Sequence, residues 1–223
     1  MVFDILGPIM IGPSSSHTAG AARLGKVARD LVEGEILSVT FGLHGSFAET
    51  YRGHGTDRAL LAGVLGMGPD DERLGQSKQI ARNRKLIYSY VSIDLGHVHP
   101  NSVKFIFVND QHEVIRITGS SLGGGQILIT QIDDFNVRIT GSEPTLLIQH
   151  MDKPGVISTV SKVIADSGVN IADMRVRRTE KGKLASMIIE TDESIPGRAI
   201  QILREFAWIQ SVKQIDPQGE EKQ

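Results

Sequence analysis

The chain has 223 residues, of which 40% are apolar and 22% charged, enough for one large or two modest folded domains. With 24 basic against 26 acidic residues and only 5% aromatics, it offers neither a basic patch nor a base-stacking surface, so nucleic acid is not an expected partner. Cysteine is absent, which excludes disulfides and any thiolate site, including an iron–sulfur cluster held by this chain alone.

In chain order, Met1–Ile11 is apolar but carries Asp4 and no basic stretch. It does not read as a signal peptide, and the longest apolar runs are far too short to cross a membrane, so the cytoplasm is expected. Pro8–Pro13 reads as a loop. A helix is expected from Thr18 to Glu33, with Leu24, Val27, Ala28, Leu31 and Val32 on its apolar face and Arg23, Lys26 and Arg29 turned to solvent. Leu37, Val39, Phe41 and Leu43 alternate as a strand. Thr56–Leu65 and Ser77–Tyr88 read as helices, with a Gly66–Gly75 loop between them. Val103–Val108, Glu113–Thr118 and Gln126–Ile132 read as strands, the first two as a hairpin across Asn109-Asp110. This first part, residues 1–142, is expected to be an α+β domain on an antiparallel or mixed sheet.

After residue 142 the pattern becomes regular. Thr145–His150 reads as a strand, Asp152–Gly155 as a turn, and Val156–Ser167 as a helix closed by Gly168. Asn170–Arg178 and Leu184–Thr191 read as strands, Pro196–Phe206 as a helix and Ile209–Ile215 as a last strand. The order β-α-β-β-α-β predicts a ferredoxin-like domain over residues 143–216, followed by a polar tail, 217–223.

Four segments concentrate the chemistry. In Gly12–Gly20 (GPSSSHTAG), Ser14, Ser15, Ser16, His17 and Thr18 crowd a helix entrance. Free N–H groups and the helix dipole favour an anion there, such as a carboxylate, and hydroxyls add orientable donors. N-capping would account for one such residue, not five. In Gly53–Asp57 (GHGTD), the glycines allow close approach to a ligand, and Thr56 or Asp57 is expected to cap the next helix. His54 would then project at that helix's start as a usable base; the bland alternative is a turn that contains a histidine. In His97–Asn101 (HVHPN), two histidines at i and i+2 would share one side of a strand and could suit a metal. Without a thiolate, and with only Asp94 nearby, His99 and Asn101 facing a substrate is at least as good a reading, and no metal site is assigned. Ser120–Gly125 (SSLGGG) could form an anion-binding nest or a flexible connection; it lacks the lysine of a nucleotide loop.

Two resemblances follow. The run Asp152-Lys153-Pro154-Gly155-Val156-Ile157 and the strand entry Gly168-Val169-Asn170-Ile171 resemble ACT domains. Those have the ferredoxin-like fold and commonly bind amino acids at a paired interface. The resemblance implies self-association and makes Asp152, Gly155, Asn170 and Ile171 candidate effector contacts, with turn chemistry the other reading of Asn170. The ordered set GPSSSHTAG, GHGTD, His99-Pro100-Asn101 and SLGGG resembles the β-chain region of bacterial iron–sulfur L-serine dehydratases.

That family deaminates L-serine to pyruvate and ammonia, with a 4Fe-4S cluster acting as Lewis acid on the substrate hydroxyl. The resemblance implies that the cluster's cysteines lie in a partner α chain, that the assembly is α₂β₂, and that the first domain is similar to the allosteric substrate-binding domain of D-3-phosphoglycerate dehydrogenases. Carried over, Ser14, Ser15, Ser16, His17 and Thr18 would hold the substrate carboxylate, and Asn101 would help position the substrate. His54 would be the base, with His17 the other candidate. An amino-acid-sensing protein, with a carboxylate-binding domain read out by the ACT domain, is the competing reading.

Overall fold

The computed structural model describes residues 15–216. Ser14, the Pro8–Pro13 loop, the Met1–Ile11 segment and the tail after Pro217 lie outside the described residues. The chain divides into two compact units between Thr140 and Gly141.

The first unit opens with a π-helical turn, Ser15–Ala19, that runs straight into α1 (Gly20–Asp30). The order continues with β1 (Ile36–His44), α2 (Ser46–Thr50), α3 (Thr56–Val64), a 3-10 turn at Glu72–Gln76, α4 (Ser77–Asn83), β2 (Ile87–Ser92), β3 (Ser102–Asn109), β4 (Val114–Gly123), β5 (Gln126–Ile132) and β6 (Phe135–Ile139). The six strands form one mixed sheet in the order β2-β1-β3-β4-β5-β6, in which only β1 and β2 run parallel. Parallel pairing requires a crossover, and α2, α3 and α4 supply it. Val39, Phe41, Leu43, Val103, Phe105, Phe107, Ile117 and Ile129 of the sheet are buried, as are Leu24, Val27, Ala28, Leu31 and Leu60 of the helices. Burying each large side chain contributes about 1.5–3 kcal/mol.

Helices α1 and α3 cross at two glycines. A Cβ on Gly25 would stand 2.5 Å from Leu60 O. One on Gly63 would strike Ala22 O and lie 2.7 Å from Lys26 N. The two backbones therefore touch, which brings the starts of both helices to one place.

Three expectations are corrected here. The helix expected to reach Tyr88 ends at Asn83, because Lys85 takes a left-handed conformation (φ 58°). The residues beyond it alternate as β2, with Tyr90 stacked on Phe41 at 4.8 Å and its hydroxyl donating to Asp57 O at 2.6 Å. Ser120 and Ser121 are not loop but buried members of β4, and the loop shrinks to the turn Gly123–Gly125, all three at positive φ. His97 and His99 sit on an exposed loop rather than a strand, so the shared-face geometry for a metal is absent.

The second unit comprises β7 (Thr145–Met151), α5 (Val156–Asp166), β8 (Ile171–Arg178), β9 (Leu184–Thr191), α6 (Gly197–Arg204) and β10 (Ile209–Ile215). Its antiparallel sheet has the order β10-β7-β9-β8, the ferredoxin-like arrangement expected of an ACT domain. Leu146, Ile148, Met187, Ile189 and Val212 of the sheet pack on Val156, Val160, Ile164 and Leu203 of the helices.

Candidate active site

The site grows from the π-helical turn. This wider turn is often found at functional positions because it re-aims side chains that a regular helix would stack. Here it places His17 edge-on to His54, with ring centroids 4.9 Å apart, and edge-on to Phe47 at 5.4 Å. Sequence spacing could not show this pairing; the α1–α3 crossing makes it.

Both ring nitrogens of His17 are engaged. Ser16 Oγ lies 3.0 Å from Nδ1 and Ser46 Oγ lies 3.2 Å from Nε2. Burial, and secondly the charge of His54, hold the His17 imidazole below its ordinary value, so it is neutral at neutral pH. The unfolded ring protonates near pH 6.5, while the folded ring resists until lower pH. Stability is therefore fully present above pH 6.5 and falls as the solution is acidified through that value. An NMR titration should give His17 a midpoint below 6.5, and the thermal midpoint of a His17→Gln variant should fall less between pH 7.5 and 5.5 than the parent's.

His54 sits between α2 and α3, its backbone N–H donating to Thr50 O at 3.1 Å. Its ring is exposed, and neither nitrogen has a hydrogen bond among the described residues. Gly55, at φ 75°, takes the cap position of α3. Neither Thr56 nor Asp57 caps that helix, contrary to expectation. Both are buried instead; Asp57 pairs through one oxygen with Lys78, and Asp57 Oδ1 and Thr56 Oγ1 have no partner among the described residues. Thr18 is likewise buried with an unpartnered hydroxyl, in the π-helical turn. Polar atoms left this way near a helix start suit a site whose ligand or water supplies the missing bonds.

The remaining segments converge less directly. The Ser121 hydroxyl donates to Ser16 O at 2.8 Å, tying the end of β4 to the π-helical turn. Its backbone N–H donates to Asn101 O at 3.0 Å, which brings the Asn101 segment to the same strand end. The Asn101 N–H donates to His99 Nδ1 at 3.1 Å, while the Asn101 amide has no partner among the described residues. Arg23, expected in solvent, is half-buried and donates to Gly125 O at 3.3 Å, clamping the β4–β5 turn to α1. The residues missed in the sequence are Ser46 and Phe47, and the signal at hand was the Gly45-Ser46 pair ending a strand.

In the second unit each candidate effector contact already has an internal partner. Asp152 accepts from the Gly182 N–H at 3.0 Å and from Arg178 at 3.3 Å. The Gly182 N–H, with Arg178 secondary, holds this carboxyl below its usual range. Asn170 donates to Asp192, 22 positions on, at 2.8 Å. Gly155 starts α5 at φ 91°, and Ile171 packs against the core.

Among the described residues no group of three or more His, Asp or Glu side chains is placed to hold a metal ion, and no helix is long and apolar enough to cross a membrane.

Residues 1–86 match the family described as "Serine dehydratase beta chain", and residues 144–207 match the "ACT domain" family. The chain is 44% identical over 214 residues to the probable L-serine dehydratase, beta chain, of Bacillus subtilis (strain 168), covering 96% of this chain and 97% of that one. It is 40% identical over 194 residues to the L-serine dehydratase, beta chain, of Peptoniphilus asaccharolyticus, covering 86% and 87%. A more distant similarity, 26% over 210 residues, covers 92% of this chain and 39% of a D-3-phosphoglycerate dehydrogenase from Methanocaldococcus jannaschii.

Proposed function

Because the chain belongs to the L-serine dehydratase β-chain family, we propose that it supplies the substrate-holding half of an enzyme that converts L-serine to pyruvate and ammonia. The observation that carries this reading is the His17–His54 pair, set edge-on at 4.9 Å by the π-helical turn and the loop before α3, in a chain without cysteine.

Its own side chains do not fit an iron–sulfur cluster, so a 4Fe-4S cluster would belong to the α chain. The chemistry assigned to it there is Lewis-acid assistance to a poor leaving group. This chain's part is different. In this reading Ser14, Ser15, Ser16, His17 and Thr18 hold the serine carboxylate ahead of α1, where the N–H groups of a helix start and nearby hydroxyls favour an anion. His54, with neither nitrogen hydrogen-bonded among the described residues, takes the α-proton, and Asn101 helps hold the substrate. His17 is neutral and held by two hydroxyls, which suits orientation better than proton removal. The ACT unit associates with its counterpart in an α₂β₂ assembly and takes an amino-acid effector near Asp152, Gly155, Asn170 and Ile171. The enzyme works in the cytoplasm.

Co-expression tests the assembly. A tag on this chain should retain an α chain together with stoichiometric iron and sulfide. Recovery of this chain free of any partner, with serine bound to it, would favour the amino-acid sensor instead.

A further inference from the structure

Ser46 is a serine without an ordinary local task. It opens α2, where a hydroxyl is usually a cap, yet α2 has no side-chain cap and the cap position belongs to Gly45. The hydroxyl's contact is with His17 Nε2, 29 residues earlier in the chain.

Its position is held from several sides. Gly45 adopts φ 54° and ψ −128°, a conformation closed to residues with a side chain, and a Cβ there would lie 2.8 Å from Pro100 O and 2.9 Å from Pro100 Cα. The next N–H, of Phe47, donates to that same Pro100 O at 3.4 Å. Phe47 is fully buried and turns its ring edge-on to His17. The Ser46 carbonyl accepts from the Thr50 hydroxyl at 2.7 Å. The Pro100 segment, the Phe47 anchor and the α2 turn thus fix the Ser46 backbone, and its hydroxyl is aimed by construction.

We propose that Ser46 is a positioning residue that locks the ring plane and proton placement of His17, so that His17 presents a fixed edge to His54. With Ser16 on the other nitrogen, His17 sits in a hydroxyl–imidazole–hydroxyl chain and turns only if one of those bonds breaks. His54 has no such bond among the described residues. The two histidines therefore divide the work, one as fixed wall and one as proton carrier. The catalytic consequence rests on the dehydratase reading; the positioning itself does not.

Two variants and two measurements separate these. In the full chain, nitrogen-15 NMR of the histidine rings should show the His17 Nε2 signal moving in Ser46→Ala, with backbone amide signals remote from the site unmoved. Ser46→Thr, which keeps the hydroxyl, should restore the parent signal. In the assembled enzyme, Ser46→Ala should lower kcat about tenfold, the scale of one lost hydrogen bond. KM should stay within about twofold, and Ser46→Thr should recover most of kcat. Unmoved His17 signals in Ser46→Ala, or a kcat equal to the parent's, would overturn the proposal. If the signals move as expected but the parent complex turns over no serine, positioning stands and the dehydratase reading falls.

Discussion

Replacing His54 by alanine in the assembled enzyme is expected to lower kcat by at least about a hundredfold while leaving the fold, the subunit assembly and the iron content unchanged. The magnitude is that of a lost general base. Two observations separate activity from stability here. The ring is exposed, so its removal leaves no cavity, and it has no hydrogen bond among the described residues whose partner would be orphaned. Surface substitutions of this kind change stability by about 0.5 kcal/mol or less. His54→Gln should be equally inactive, because it keeps polarity and approximate size but cannot carry the proton. Steady-state kinetics beside a thermal melt checks both halves. Activity within tenfold of the parent would remove His54 from the role of base and shift it to His17.

The second large effect is on stability. Gly63→Ala should destabilise the first unit by about 1–3 kcal/mol, the range for overpacking. Alanine is ordinarily the better helix former, by about 1 kcal/mol, so the sign is diagnostic. What the new methyl group would meet is backbone: Ala22 O, Lys26 N at 2.7 Å and Gly25 Cα at 2.8 Å. Backbone cannot rotate away, so α1 and α3 must separate. Separation also parts His17 from His54, and activity should fall further than stability alone would dictate. Gly75→Ala is the control, since its Cβ meets nothing within 4 Å and its φ is not positive. Urea denaturation should place Gly63→Ala below the parent and Gly75→Ala level with it. A Gly63→Ala midpoint equal to the parent's would contradict the close crossing.

The parts of the fold that could be read in advance are those where burial imposes a period. β1 was legible because Val39, Phe41 and Leu43 alternate toward one core. The end of α4 was not, because it depends on Lys85 adopting a conformation that glycine or asparagine would normally signal. The end of β4 was hidden for another reason. Ser120 and Ser121 occupy buried positions through hydrogen bonds, to Ser102 Oγ at 2.7 Å and Ser16 O at 2.8 Å, so they leave no apolar alternation to follow. The short β6 was missed because Phe135, Val137 and Ile139 give only three apolar positions.

The site divides the same way. The crowding of hydroxyls before α1 is visible as composition, and a histidine between glycines is visible as turn chemistry. That His17 and His54 meet depends on a helix crossing set by Gly25 and Gly63, and glycines in a helix advertise no partner. Ser46 is still less legible, since its meaning comes from Pro100, 54 positions later, pressing on Gly45.

Turnover by separated and recombined chains tests most directly whether this chain is half of an active site. Each chain is purified under anaerobic conditions, and pyruvate formed from L-serine is measured for this chain, for the α chain and for their mixture. The expected result is pyruvate from the mixture alone, lost when the β chain carries His54→Ala. Pyruvate from the α chain by itself, at the rate of the mixture, would contradict the shared site.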